Sequence, residues 1–200
     1  KEMCLQENEL EMAKTALTLK CDFNLHDAYH IFDPHHRGLI DSHDLRAGLT
    51  AINVHPTSEQ IELFITRYDK NGDRRLCFQE FSAAFAPLDS FHGHMLTRRC
   101  SNGRKACFKR DDCFFADTQR EHCKVWDTHF SCETQAENVR QRLQRFPCFD
   151  VLGAFNSLDL KADGGIDACE LRRMIESRGI HVTGKEISDL VDRFDTSKSG

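Results

Sequence analysis

The chain has 200 residues, of which 40% are hydrophobic and 30% are charged, as is usual for one or two globular domains with an apolar core. Its formal net charge of −5 at pH 7 argues against nucleic acid as a partner. No apolar run approaches the ~18–20 residues that cross a bilayer, so we expect no membrane partner either. The ten cysteines include no C-x-x-C pair, and we interpret them as reduced thiols of a cytoplasmic protein.

The first segment, residues 1–21, is predicted to form an amphipathic helix. Apolar side chains recur at roughly helical spacing, at Leu5, Leu10, Met12, Ala13 and Leu17. We expect this helix to pack on the lobe that follows it; the alternative is that it holds a partner.

Residues 33–44, here called loop I, form a twelve-residue loop between two helical segments. Gly38 stands at position 6, where a sharp turn needs a positive φ angle. Positions 3 and 5, however, are His35 and Arg37, and position 12 is the short Asp44. A basic side chain at a position that should offer an oxygen predicts that loop I does not bind Ca²⁺.

Residues 69–80, loop II, carry oxygen-bearing side chains at positions 1, 3, 5 and 12. Ca²⁺ takes six to eight oxygen ligands at roughly 2.3–2.6 Å, and a loop with this spacing can wrap around it. The predicted ligands are the side chains of Asp69, Asn71, Asp73 and Glu80 and the backbone carbonyl of Arg75. Two positions depart from the pattern: Arg74 replaces the usual glycine at position 6, and Cys77 at position 9 offers no oxygen.

Between this loop and the next lies a basic insertion, residues 87–147. From Arg98 to Arg145 there are eleven Lys and Arg residues against seven Asp and Glu. We predict one helix that follows a cap at Ala116-Asp117 and carries the apolar residues Val125, Trp126 and Phe130. We predict a second helix from about Glu133 that ends before Pro147. The arginines near its end form either a solvated face or a contact with an acidic partner.

Two further loops follow with the same spacing. Loop III, residues 159–170, is a weaker candidate because Lys161 occupies position 3; its predicted ligands are Asp159, Asp163, Gly165, Asp167 and Glu170. Loop IV begins with Asp195, Ser197 and Ser199 at positions 1, 3 and 5, and the sequence stops at its sixth position. We therefore expect the natural chain to continue.

The four loops belong to an internal repeat. Asp33 and Asp69 are 36 residues apart, and so are Asp159 and Asp195; the residues 1, 4, 5 and 8 positions before each loop are apolar or aromatic in all four cases. Over residues 22–86 and 148–200 the chain resembles the calmodulin superfamily of paired EF-hands.

This resemblance implies an all-α protein with two EF-hand pairs, a short β-bridge between paired loops and a mostly helical insertion. In the bridge we expect Ile40 opposite Leu76. The predicted domains are an N-terminal helix (1–21), EF-hand pair 1 (22–86), the insertion (87–147) and EF-hand pair 2 (148–200).

The layout, together with the helix pattern over residues 133–143, also resembles multi-EF-hand proteins of ciliary axonemes, which are associated with doublet microtubules. The resemblance implies a non-enzymatic Ca²⁺-binding structural component of the cytoskeleton. Its partners would be proteins of a larger assembly, with tubulin and other axonemal proteins as candidates. The alternatives are a Ca²⁺ sensor and a regulatory module of a Ca²⁺-controlled enzyme. The sequence contains no phosphate-binding glycine-rich loop and no G-x-S-x-G motif, so we predict no catalysis.

Overall fold

A computed structural model describes residues 2–101 and 113–195, with Glu2 described by its backbone alone. In those ranges the chain forms ten helices and two short strands, which confirms the all-α class. The chain divides into two compact units: the central unit, residues 10–134, and the terminal unit, residues 1–9 together with 135–200.

The central unit contains most of helix α1 (Glu2–Thr18), two helix-loop-helix units and the first part of a long helix. Its further elements are α2 (Leu25–Phe32), β1 (Leu39–Ile40), α3 (Ser42–Ala51), α4 (Ser58–Tyr68), β2 (Leu76–Cys77), α5 (Phe78–Phe85), α6 (Ser90–Thr97) and α7 (Ala116–Gln144), the last of which continues into the terminal unit.

Side-chain caps fix where these short helices begin. Asn24 caps α2 by accepting a hydrogen bond from the Asp27 amide at 2.8 Å. Thr57 begins α4 through a reciprocal capping box with the third helical residue, Gln60. Such caps satisfy amides that have no partner within the helix, so each helix starts where its cap stands.

The two strands join loops I and II. They pair antiparallel, with Ile40 opposite Leu76, and both side chains are fully buried. The predicted bridge is thereby confirmed, because the repeat places the same loop position of both loops side by side.

The core of the central unit combines aliphatic and aromatic side chains, and α1 contributes to it. Leu10, Ala13 and Leu17 of α1 are buried in the same cluster as the apolar residues of α2 to α5. The prediction that the first helix packs on the following lobe is therefore confirmed for this part of it.

Helix α7 corrects one prediction. The sequence predicted two helices with a break near Glu133, whereas the structure has one helix of 29 residues. Residues 116–144 include neither glycine nor proline, so nothing interrupts the helix. The predicted cap at Asp117 was also wrong: Asp22 accepts a 2.6 Å hydrogen bond from the Phe115 amide and another from the Thr118 hydroxyl, at the start of the helix.

The terminal unit contains α8 (Val151–Leu158), α9 (Ala168–Ser177) and α10 (Gly184–Phe194). The buried Glu7 and Arg193 form an ion pair that joins residues 1–9 to α10. Ile175 and Ile187 are buried, whereas α8 has no buried residue and Phe194 is 58% exposed. Of the fourteen large hydrophobic residues that are exposed in the described ranges, nine lie in this unit.

Two further observations concern the cysteines and the helices. The cysteines of the described ranges are not joined by disulfides. Over the same part of the chain, no helix combines the length and the apolar character that a membrane crossing requires.

Candidate metal centre

Loop II connects α4 to β2 and is organised by its own carboxylates. Asp69 accepts hydrogen bonds from the amides of Gly72 and Arg74, both at 2.7 Å. Asn71 Oδ1 accepts from the Asp73 amide, and Asp73 Oδ1 accepts from the Arg75 amide, each at 2.8 Å. The predicted side-chain ligands at positions 1, 3 and 5 thus line one tight turn.

Glu80, the predicted ligand at position 12, closes the loop from α5. Its two oxygens accept from the amides of Lys70, at 3.0 Å, and Cys77, at 2.9 Å. Burial acts to raise the pKa of Glu80, but these hydrogen bonds outweigh it and hold the pKa below its usual value. Glu80 is therefore an ionised carboxylate at neutral pH that already faces the loop.

The three described loops share one backbone conformation. Position 4 has a positive φ in each of them, at His36, Gly72 and Ala162, and position 6 does so at Gly38, Arg74 and Gly164. In loop II the glycine stands at position 4, and Arg74 adopts the left-handed conformation with φ of 59°. The unusual Arg74 therefore leaves the loop geometry unchanged.

In loop I a basic side chain of the loop itself pairs with the carboxylate at position 12. The guanidinium of Arg37, at position 5, forms an ion pair with Asp44, at position 12. Asp33 accepts from the amides of Arg37 and Gly38, so the loop keeps its shape. This internal cation gives the physical reason for the prediction that loop I binds no Ca²⁺.

Loop III combines the expected frame with a competing cation. Asp159 accepts from the amides of Asp163 and Gly164, and Glu170 accepts from those of Lys161 and Asp167. The Lys161 ammonium pairs with Asp167 at position 9, and this hydrogen bond is the main cause of the raised pKa of the lysine. An ion entering loop III must therefore compete with Lys161 for Asp167.

The remaining predicted ligands are described in part. Gly165, whose carbonyl was a predicted ligand, donates its amide to Asp163 at 3.0 Å. Asp195 ends α10, and its amide donates to the Val191 carbonyl. Ser197 and Ser199 lie outside the described residues, so loop IV stays a prediction.

Comparison with known proteins agrees with this geometry. A family model described as an EF-hand domain pair matches residues 22–86, the stretch that contains loops I and II. The chain is 24% identical over 154 residues to a probable calcium-binding protein, CML13, of Oryza sativa subsp. japonica; the match covers 76% of this chain and 80% of the relative. Residues 22–86 are thus an EF-hand domain pair, and the matches support a calmodulin-superfamily EF-hand protein.

A second relative has a more specific role. The chain is 37% identical over 54 residues to the 18 kDa light chain of flagellar outer-arm dynein from Chlamydomonas reinhardtii. This match covers 27% of the present chain and 34% of the light chain, so it is local.

The oxygen ligands that loop II offers suit Ca²⁺. An ionised carboxylate offers about four lone-pair sites, and Asp69 uses two of them for the amides of its own loop. Asp73 and Glu80 likewise keep lone-pair sites for an ion. All of these ligand atoms are the hard oxygens that Ca²⁺ prefers. Ca²⁺ is therefore the cofactor of this EF-hand protein.

Sequence reasoning missed two features of the first EF-hand pair. The Arg37–Asp44 ion pair lies within loop I, and the signal for it was the basic residue at position 5. The other is the place of α7: the sequence showed an apolar stripe with Trp126, but nothing local indicated that this stripe packs against α2, α4 and α5.

Proposed function

We propose that this EF-hand protein binds Ca²⁺ chiefly at loop II and acts, without catalysis, as a structural component of a ciliary axoneme. The proposed ligands in loop II are Asp69, Asn71, Asp73, Arg75 and Glu80. Loop III is proposed as a weaker site, through Asp159, Asp163, Gly165, Asp167 and Glu170.

The observation that carries the structural role is the closed groove of the first EF-hand pair. A sensor exposes an apolar groove to a target when the ion binds. Here Trp126 of α7 is fully buried against Phe32, Phe64 and Phe85, so the first pair has no free groove. A lobe that is already filled suits a stable part of an assembly.

The axonemal placement is supported by the local match to the flagellar dynein light chain. The charge of the insertion also supports an axonemal placement. The stretch from Arg98 to Arg145 is basic, and tubulin surfaces are acidic. Arg142 and Arg145 are exposed near the end of α7 and are available to such a partner. We therefore propose the cytoskeleton as its location.

Calorimetric Ca²⁺ titration of the wild type beside three variants tests the ion site. Glu80→Gln keeps the size of the side chain but removes the anion at position 12, so we expect it to lose the strongest site. Glu170→Gln should lose the weaker site alone. Asp44→Asn is the matched control and should bind as the wild type does, because Arg37 pairs with Asp44 in loop I. Equal binding by the wild type and Glu80→Gln would contradict the assignment of loop II.

Cosedimentation with stabilised microtubules tests the assembly role. We expect the protein to pellet with them in EGTA and in Ca²⁺, and Arg142→Glu/Arg145→Glu to pellet less. Arg173→Glu, an exposed change in α9 outside the basic stretch, is the control. Absence of the wild type from the pellet at low salt, together with an apolar dye signal that depends on Ca²⁺, would favour a sensor instead.

The terminal unit supplies the observation that favours this second candidate. A groove of about 500 Å³ opens there, lined in part by Phe155, Leu158, Leu190 and Phe194. Such a surface is typical of a Ca²⁺ sensor or of a regulatory module in a larger enzyme. The dye experiment on Glu170→Gln assigns any Ca²⁺-dependent signal to this unit, because loop III lies beside the groove.

A further inference from the structure

The first EF-hand pair holds a helix of its own chain. Three of its helices converge on Trp126 of α7, with ring-centroid distances of 5.2 Å to Phe32 of α2, 4.8 Å to Phe64 of α4 and 5.1 Å to Phe85 of α5. Trp126 has no exposed surface. It fills the middle of the pair as a large aromatic anchor.

Polar groups on α7 also match the pair. The indole Nε1 of Trp126 donates to Nε2 of His122 at 3.1 Å, one turn earlier in the same helix. One turn later, His129 Nε2 donates to the carbonyl of Ala84 in α5 at 3.0 Å, and its Nδ1 accepts from the Tyr68 hydroxyl at 3.3 Å. Buried polar atoms that find partners across an interface fix the register of the two surfaces.

A hydrogen bond and an ion pair also hold the two ends of the buried part of α7. Asp22 accepts from the Phe115 amide at the start of the helix, as described above. Glu133, five turns later, forms a 2.5 Å ion pair with Arg67 of α4, and both side chains are largely buried. These contacts hold α7 at both ends and in the middle over about 27 Å of its length.

Ca²⁺ has little left to rearrange in this pair. Loop I already contains the Arg37–Asp44 ion pair, so loop II alone can respond. Its closing carboxylate, Glu80, already faces the amides of Lys70 and Cys77, and the next residue, Phe81, lies in the core beside Trp126. Helix α5 therefore already has its packed position before an ion binds loop II.

We propose that α7 is the resident target helix of the first EF-hand pair and stays docked with and without Ca²⁺. The pair then acts as a clamp on its own helix and does not receive helices from other proteins. The tethered helix competes at an effective concentration on the order of millimolar. With an intrinsic Kd on the order of micromolar for this resident helix, an external helix would bind on the order of a thousandfold more weakly than to an empty pair. This inference goes beyond the axonemal role and holds whether or not the protein binds microtubules.

The test uses Trp126, which is the single tryptophan of the chain. Emission and acrylamide quenching of the full chain are measured in EGTA, in Ca²⁺ and in guanidinium. We expect a blue-shifted emission in the first two, with quenching constants within about twofold of each other and well below the unfolded value. A quenching constant that approaches the unfolded value in either folded condition would overturn the proposal.

Hydrogen exchange of the amides of residues 118–132 provides a readout that does not depend on fluorescence. These amides should exchange slowly both in EGTA and in Ca²⁺. Exchange that is at least tenfold faster in one of these conditions than in the other would overturn the proposal.

The Glu80→Gln variant distinguishes failure of the ion assignment from failure of the clamp. If it loses Ca²⁺ but keeps Trp126 buried, both hold; if the wild type binds no Ca²⁺ and Trp126 is still buried, the ion assignment fails and the clamp stands. If Trp126 is exposed in the wild type, the clamp fails whatever the titration shows.

Discussion

Two residues of loop II, on either side of Asp73, share an unusual backbone conformation. Gly72 and Arg74 have φ of 76° and 59°, in the left-handed region that favours glycine. At Arg74 the side chain makes this conformation unfavourable, at about 1–2 kcal/mol before the entropy of the unfolded chain is considered. The loop keeps the conformation because Asp69 accepts the Arg74 amide and fixes the turn.

Arg74→Gly should therefore raise the free energy of unfolding by about 0.5–1 kcal/mol, because glycine relieves the left-handed strain. Gly72→Ala is the reciprocal change and should lower it by about 1 kcal/mol. A Cβ at residue 72 would meet no atom within 4 Å, so backbone strain is the cause. Urea denaturation measures both; equal stabilities of the two variants would contradict this explanation.

At the scale of elements, the packing of α3 against α2 depends on a glycine inside a helix. A Cβ added at Gly48 would lie 2.3 Å from Cδ1 of Phe32. Phe32 in turn packs against Phe81 and Trp126, so its ring has little room to move. Helix propensity alone would favour alanine at this position by about 1 kcal/mol, whereas the packing excludes it.

Gly48→Ala should lower the free energy of unfolding by about 1–2 kcal/mol, since overpacking a full core outweighs the gain in propensity. Thr50→Ala, at an exposed position of the same helix, is the control and should be neutral or slightly stabilising. The measurement is thermal unfolding followed by circular dichroism and by Trp126 emission. A Gly48→Ala variant that is more stable than the wild type would show that Phe32 can move.

At the scale of the whole molecule, the core surrounds a histidine that stays neutral. His122 has no exposed surface and lies among Phe23, Phe85, Phe114 and Trp126. Burial lowers the pKa of His122 to about 3, from the usual 6.5. Below pH 6.5 the unfolded chain therefore takes up a proton at His122 that the folded chain does not.

Because the unfolded state binds more protons, the free energy of unfolding should fall as the pH falls from about 6.5 toward 3, by up to about 1.4 kcal/mol per pH unit from this group. Between pH 7 and pH 5 the wild type should lose about 2 kcal/mol more than His122→Gln, which can still accept from Trp126 but does not titrate. His55→Gln, at an exposed position, should follow the wild type. Urea titrations read by Trp126 emission decide the matter, and parallel pH profiles for all three proteins would exclude His122 as the cause.

Local patterns in the sequence were enough to predict the loops and the helices around them. Ligand spacing and the apolar stripes are local signals, because they depend on residues within one or two turns of each other. The 36-residue repeat compares such local patterns along the chain. They predicted the pairing of Ile40 with Leu76 and the mismatch of Arg37 with an ion in loop I. These features depend on patterns of residues that stand close together along the chain, so they can be recognised in the sequence.

The partner of the apolar stripe on α7, in contrast, becomes visible only in the folded chain. A stripe shows that a helix face is buried but does not name its partner, since any apolar surface of the right shape would lower the free energy. The cap of α7 comes from Asp22, 93 residues before the amide that it accepts, and Trp126 meets residues 41 to 94 positions away. Such contacts are set by how the whole unit closes, and they decide that the first EF-hand pair holds its own helix.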